Sequence, residues 1–367
     1  MRYSNVCLES FGYTVPEEIV TTDELERRLE PLYTRLRLPH GRLELITGIR
    51  ERRFWPREML PSEASVTSAE RAIAAAGIDR AEIGALVHAS VCRDYLEPAT
   101  ACTVHHRLGL RADCVVYDLS NACLGLLNGV LQVANMIELG QIRAGLVVGT
   151  ESGRSLVEAT IDQLNADTML TRDGIKLAIA SLTIGSGSAA ILLVDRELTR
   201  TDNRILAAVA RAETEHHQLC HGNEESVAGR IGMLMQTDSE RLMHAGVAAA
   251  QPAFAELRRE LDWSIEGIDK TFCHQVGAAH RKLMFQGLGL DTDIDFGTVE
   301  WLGNTGSVAV PMTAAIGIEQ GHLAAGDHVA LLGIGSGINV VMLGVEWQRV
   351  PMGNVEWGMG NSRTAIS

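Results

Sequence analysis

The stretch "IELGQIRAGLVVGTESG" (residues 137–153) closes a helical pattern at a glycine and enters an apolar strand. "IEQGHLAAGDHVALLGIGSG" (318–337) repeats I-E-x-G-x-x-x-A-G 181 residues later, and again a glycine-stopped helix leads into an apolar strand. One nine-residue match can arise by chance, but the shared helix-to-strand context marks a duplicated α/β half. At the same offset Cys123, in "DLSNACLGLLNGVLQVANMIELG" (118–140), corresponds to Asn304, in "WLGNTGSVAVPMTAAIGIEQG" (301–321). Two equivalent helices are therefore expected to begin beside a thiol and beside an amide.

Working outward, short apolar runs alternate with longer helical patterns. "IGALVHASV" (83–91), "CVVYDL" (114–119), "AGLVVGT" (144–150), "AAILLV" (189–194), "TFCHQV" (271–276), "HVALLGI" (328–334) and "INVVMLGV" (338–345) read as strands buried on both faces. "SEASVTSAERAIAAAG" (62–77), with Ser62 and Ser65 as candidate caps and Gly77 as a stop, and "AFAELRRELDW" (253–263) read as amphipathic helices. The class is α/β. A chain of 367 residues with 46% hydrophobic and 21% charged residues has the composition of a soluble globular protein. Its net charge of −14 argues against nucleic acid or an anionic membrane as a general partner. No basic and apolar leader opens "MRYSNVCLESFGYTVPEE", and no run approaches the roughly 18 apolar residues that a spanning helix needs. A cytoplasmic setting is expected. The seven cysteines (7, 92, 102, 114, 123, 220 and 273) stand singly, which suggests neither a disulfide framework nor a zinc site. No metal or cofactor is expected.

The helix after Cys123 has almost no polar face, so it should be central and buried. A thiol at its first turn faces the positive end of the helix dipole, which favours thiolate, and Ser120 and Asn121 are candidate caps. A buried structural thiol is the competing reading. His274 ends an apolar strand before small residues, and Asn304 lies in a glycine-flanked turn opening a helix. Cys, His and Asn together suit covalent catalysis with oxyanion stabilisation. The adjacent pairs His105/His106 and His216/His217 look like metal ligands, but neighbours in sequence point apart, which favours solvated or hydrogen-bonded roles.

With these residues in place, the chain resembles the thiolase superfamily, in its ketoacyl synthase III branch. The stretches "ITGIRERR" (46–53), "LSNACLGLLNG" (119–129), "GLVVG" (145–149), "IGSGSAAILL" (184–193), "HQV" (274–276), "GNTGS" (303–307) and "GIGSG" (333–337) follow the family order over nearly the whole chain. The resemblance implies a thiolase fold of two duplicated α/β halves packed as a layered αβαβα sandwich. Its halves would be 1–196, with an insertion at 154–181, and 197–348, followed by a tail at 349–367. "SVCRDYLEPATA" (90–101) is similar to the OleA-type enzymes, which join two acyl-CoA thioesters head to head into a β-keto acid. By that resemblance Cys123 is the nucleophile, the backbone N–H groups of Cys123 and Ser336 form the oxyanion hole, and His274 and Asn304 stabilise an enolate. Glu97 would be the base, entering from the neighbouring subunit of a homodimer. A capping or surface carboxylate before Pro98 is the competing reading of Glu97.

Seven arginines between Arg35 and Arg57 stand against two acids. They are either a solvated face or a docking site for a phosphate-bearing ligand, and the resemblance singles out Arg35, Arg37 and Trp55 for coenzyme A phosphates and adenine. An acidic acyl carrier protein would suit the same patch. Gly277 stands where carrier-dependent relatives carry an asparagine, so pantetheine contacts must differ there, and His280 is no assured substitute. The insertion either walls an acyl channel, with Met169, Leu170 and Ile175, or packs a dimer. Three activities remain: non-decarboxylative acyl-CoA condensation, decarboxylating ketoacyl synthesis from a malonyl donor, and acyl transfer to oxygen or nitrogen.

Overall fold

A computed structural model of the chain describes residues 1–222 and 235–349. The tail beyond Arg349 lies outside them. The first half contributes strands β1 (Val6–Thr14), β2 (Glu18–Thr21), β3 (Glu51–Phe54), β4 (Ile83–Ala89), β5 (Val115–Leu119), β6 (Ala144–Glu151) and β7 (Gly187–Asp195). Its helices are α1 (Thr22–Arg28), α2 (Glu30–Leu36), α3 (Arg42–Thr47), α4 (Pro61–Ala76), α5 (Thr100–Leu108), α6 (Gly125–Glu138) and α7 (Arg154–Ala166). The second half contributes β8 (Arg204–Ala212), β9 (Cys220–Gly222), β10 (Met235–Thr237), β11 (Lys270–Cys273), β12 (His328–Gly335) and β13 (Asn339–Glu346). With them come α8 (Ser239–Leu261), α9 (Ala278–Leu288), α10 (Val299–Leu302) and α11 (Ala309–Glu319).

Nine strands run in the order β11-β12-β13-β8-β1-β7-β6-β4-β5, and the duplication is written in that order. Moving outward from the centre, β1, β7, β6 and β4 pair antiparallel, antiparallel and parallel; β8, β13, β12 and β11 do the same. The halves join where β1 meets β8 at Cys7 and Arg204. Side chains alternate between faces along each strand, as the two-residue period demands. Ala189, Ile191 and Leu193 of β7 face the central cluster with α6 and α11, whereas Ala190, Leu192 and Val194 face α4 and α5. In the other half Val329 and Leu331 face inward, and Ala330 and Leu332 face α8 and α9. Five layers result, with α6 and α11 in the middle. Leu126, Leu127, Val130, Val133 and Ile137 of α6 are almost fully excluded from water, each of these large apolar side chains being worth roughly 1.5–3 kcal/mol.

The structure departs from the sequence expectation at several elements. β5 is an edge strand and only half-buried, with Val115 45% exposed, not enclosed on both faces. α4 starts at Pro61, with Glu63 closing back on the Leu60 N–H; neither Ser62 nor Ser65 caps it. The Ser65 hydroxyl instead meets Thr150 at 2.7 Å. β1 escapes a hydropathy reading because Glu9 and Ser10 interrupt it, yet both are buried, Glu9 taking hydrogen bonds from Thr199, Arg200 and Thr201. The segment between β6 and β7 has no counterpart between β12 and β13. Its α7 and the turns around Ile175–Leu182 pack on α1–α3 in a separate apolar cluster. No helix is long and apolar enough to cross a membrane among the described residues.

Candidate active site

Cys123 lies on the turn between β5 and α6. Ala122 before it takes the left-handed conformation (φ 43°), and the Leu124 N–H closes the turn onto the Asn121 carbonyl at 2.9 Å. No side chain caps α6; Asn121 donates to Asn128 at 2.8 Å instead, so the capping role expected of Ser120 and Asn121 is not used. The second half closes on the same turn. Asn339 Nδ2 reaches Asn121 Oδ1 (3.4 Å) and the Ser336 carbonyl (3.3 Å), and Gly335 packs so tightly that a Cβ there would sit 3.6 Å from Cys123 N. His274 follows β11, its N–H bound to Leu332 O of β12 at 2.9 Å, three residues before Gly335. β12 thus carries both the Ser336 turn and the neighbour of His274.

Asn304 lies between α10 and α11, pinned by its backbone: its N–H donates to Thr183 O (2.9 Å) and its carbonyl accepts from Gly185 N–H (2.8 Å). The Asn304 Oδ1 accepts from Gly306 N–H at 3.0 Å, and Nδ2 has no hydrogen-bond partner among the described residues. The turn reaches the start of α6, where a Cβ on Gly125 would touch Ser307 Cβ at 3.6 Å. Gln275, next to His274, braces the same region from below: its Oε1 accepts from the N–H groups of Thr298 and Val299, and its Nε2 donates to Phe296 O. Both His274 ring nitrogens are buried without a hydrogen-bond partner among the described residues. Buried polar atoms are nearly always satisfied, so this pair calls for a polar ligand.

Burial decides the electrostatics. It pushes the Cys123 thiol up to about 12, with Cys220 and Glu151 adding to the rise and a backbone N–H opposing it. The helix end therefore does not hold a thiolate in the free protein. Burial, with His280 nearby, takes His274 down to about 3; His280 falls to about 4 through burial alone. Both rings are neutral. His88, buried on β4 of the same sheet, also falls to about 4, burial outweighing the attraction of Asp118.

These shifts predict acid sensitivity. Each histidine titrates below its ordinary value of 6.5, so its contribution to stability is complete above that pH and is lost as pH falls toward 4. Asp295, raised to about 6 by burial against the Arg281 contact, acts in the opposite sense, its contribution present below about 4 and lost as pH rises through 6. Glu151, raised by burial, acts in the same sense. Three depressed histidines outnumber the two raised carboxyls, so unfolding takes up protons and stability falls as pH drops from about 6 toward 4.5. Urea unfolding at pH 6 and pH 5 measures it, and His280→Gln should remove about one proton from the slope. A flat profile contradicts the burial of these rings.

Among the described residues Glu97 makes no hydrogen bond or ion pair with the other three. It is exposed on the loop between β4 and α5, among exposed Val91, Tyr95 and Leu96, beside the open edge of β5. The arginine-rich stretch is largely spent internally. Arg35 donates to the carbonyls of Leu164, Asn165 and Asp167, Arg50 pairs with Glu300, Arg57 with Glu158, and Arg52 is buried against Thr22 and the Leu182 carbonyl. Arg35 therefore staples the insertion rather than awaiting phosphate. Trp55 is 5% exposed and its indole N–H bonds Glu151 O at 3.0 Å, so no face is open for an adenine. Arg37 does reach a ligand-sized space. It lines a cavity of about 320 Å³ between α2–α3 and the insertion, whose walls are Leu29, Leu32, Leu43, Leu164, Ile175 and Leu182. Arg42, Arg172 and Lys176 also border it. Of the insertion residues expected at a channel, Ile175 lines this cavity and Met169 is 85% exposed. Gly277 has a packing reason: a Cβ would come within 2.9 Å of Thr47 O, where α3 meets the His274 turn.

A duplicated five-layer fold with Cys, His and Asn gathered where its halves meet defines a thiolase-type condensing enzyme. Residues 259–347 match the 3-oxoacyl-(acyl-carrier-protein) synthase III C-terminal family. An acyl-CoA:acyl-CoA alkyltransferase of Shewanella oneidensis is 44% identical over 351 residues, 95% of this chain and the whole of that protein. Its Xanthomonas campestris namesake is 34% identical over 347 residues, again 95% and 100%. A Xanthomonas campestris OleA variant solved with bound lauric acid and lauroyl-CoA superposes with a TM-score of 0.88 at 33% identity, covering 94% of this chain and 100% of that one. The chain belongs to the acyl-CoA:acyl-CoA alkyltransferase (OleA) family, and is an acyltransferase of the thiolase type.

Sequence reasoning passed over Glu151, Ser307 and Gln275. The one signal for Glu151 was an acid ending an otherwise apolar strand, in "GLVVGTE" (145–151).

Proposed function

We propose that this protein condenses two fatty acyl-CoA thioesters head to head into a β-keto acid, through an acyl-cysteine at Cys123. The observation that carries the reading is the pair of buried, unpartnered ring nitrogens on His274, on the half whose Gly335 and Asn339 close on the Cys123 turn and whose Asn304 turn packs on the start of α6. Cys123 Sγ attacks the first thioester; the carbonyl oxygen is held by the N–H groups of Cys123 and Ser336, and coenzyme A leaves with the thiol proton. The second acyl-CoA places its thioester oxygen at His274 and Asn304. A base removes its α-proton, and the carbanion attacks the acyl-cysteine, returning the sulfur. Water then cleaves the remaining thioester, releasing the β-keto acid and a second coenzyme A. Neutral His274 suits the enolate step, since one ring N–H can donate without a buried cation.

The base is Glu97 of the second subunit in a cytoplasmic homodimer. Its exposure and the open edge of β5, with exposed Val91, Tyr95 and Leu96, support that placement. The cavity bordered by Arg37 and Arg42 supports a substrate with an apolar tail and an anionic head, while Arg172 is held by the Leu36 and Arg37 carbonyls. Either coenzyme A or an acyl carrier protein could present that head. Intact-protein mass after lauroyl-CoA, followed by product analysis with and without malonyl-CoA, tests the reading. The expected result is an acyl adduct on Cys123 and β-keto acid without malonyl-CoA. Product only with malonyl-CoA favours the decarboxylating reaction, and an adduct that yields no carbon–carbon bond favours acyl transfer to oxygen or nitrogen.

A further inference from the structure

Glu151 ends β6 inside the protein, and none of the steps above uses it. Its Oε1 accepts from Ser307 Oγ at 2.5 Å, with the N–H groups of Ser307 and Val91 at 3.4 Å each. Ser307 Oγ also lies 3.1 Å from Ala89 O. Gly306, at a left-handed φ of 58°, is pressed so close that a Cβ would stand 3.2 Å from the Glu151 carboxyl carbon. That same Gly306 donates its N–H to Asn304 Oδ1. A chain of contacts thus runs from the carboxyl through Ser307 and Gly306 to the amide, and it turns the amide so that oxygen faces the backbone and nitrogen faces outward.

A buried carboxyl is costly unless it is hydrogen-bonded, and a site needing only volume would take an apolar residue. Nor does Glu151 help the nucleophile. It lies close enough to Cys123 to raise the thiol further, which opposes acylation. Its hydrogen bonds lead instead to the turn that carries Asn304.

We propose that Glu151 is a positioning residue for the enolate-forming half of the reaction: through Ser307 it holds the Gly303–Ser307 turn so that Asn304 presents Nδ2–H to the thioester oxygen of the second substrate. This rests on the condensation reading above. Misplacing one donor by a fraction of an ångström weakens the enolate contact without touching the groups that acylate Cys123.

The test separates the two half-reactions in wild type, Glu151→Ala, Glu151→Gln and Ser307→Ala. Lauroyl-CoA adduct formation on Cys123, followed by intact mass, reads the first half, and kcat and KM for β-keto acid production read the whole. In Glu151→Ala and Ser307→Ala, kcat is expected to fall roughly tenfold or more with KM within about twofold of wild type, while the acylation rate does not fall and in Glu151→Ala is equal or faster, a group that raises the thiol having been removed. Glu151→Gln should recover most of kcat, because its amide oxygen accepts the same Ser307 bond. Acylation and condensation falling together, or Glu151→Ala condensing at the wild-type rate, overturns the proposal. Should Glu151→Ala fail to fold, Ser307→Ala removes the same bond from its other end and decides alone. Wild type that forms the adduct but no β-keto acid refutes the condensation reading itself, and is told apart from failure of the Glu151 role by needing no variant.

Discussion

Glu97→Gln is expected to load Cys123 with an acyl group at the wild-type rate and to make β-keto acid about a hundred to ten thousand times more slowly, the range over which a positioned general base acts. The amide keeps the size and hydrogen-bonding reach of the carboxylate and loses only its proton affinity. If the base crosses a subunit interface, a second result follows from symmetry. Glu97→Gln subunits keep a working Cys123, and Cys123→Ala subunits keep a working Glu97. In a mixed dimer one of the two sites is whole. Random reassociation of equal amounts makes half the dimers mixed, so about a quarter of wild-type activity returns from two inactive proteins. No recovery after verified subunit exchange would place the base within its own chain or remove Glu97 from the chemistry. Loop exposure already favours the crossing: Leu96, beside Glu97, is 89% exposed, an odd setting for a side chain that serves a buried site of its own subunit.

The two halves were legible because a duplication leaves a periodic record that hydropathy reads well. The 181-residue offset that pairs Cys123 with Asn304 became, in the structure, two helices in one central layer and a matching strand order on either side. β1 and β8 were harder to see. Glu9 is buried by partners at residues 199–201, and no local window contains both ends of such a contact. Arg35 and Trp55 were misread for the same reason. Their chemistry suits a nucleotide, but carbonyls 129 to 132 residues away from Arg35, and one 96 residues away from Trp55, occupy them first. Residue type announces what a side chain can bind; only the fold says what has already bound it. The thiol at Cys123 shows the same limit in energetic form. A helix N-terminus favours thiolate by a modest amount, whereas burial acts on the whole charge, and here burial wins.

That outcome makes a sharp prediction for Cys123. Cys123→Ala should carry no acyl adduct and make no β-keto acid, and the wild-type thiol should react with iodoacetamide in an unusual way. Only thiolate is alkylated, so with a thiol titrating at about 12 the rate at Cys123, followed by peptide mass, rises about tenfold per pH unit from pH 7 to 9 without levelling. An ordinary cysteine bends over near pH 8.5. A bend there would mean that burial does not raise this thiol, and a bend below it that the helix end prevails. A high thiol pKa carries a cost and a benefit in this reaction. Little thiolate exists at neutral pH, which slows loading, yet the thiolate that forms is intrinsically the stronger nucleophile and the poorer leaving group. An acyl-cysteine built on it resists water while the second acyl-CoA binds and loses its α-proton. The adduct on Glu97→Gln should therefore outlast the removal of free acyl-CoA, and rapid hydrolysis of that adduct would show that the buried sulfur gives the intermediate no such protection.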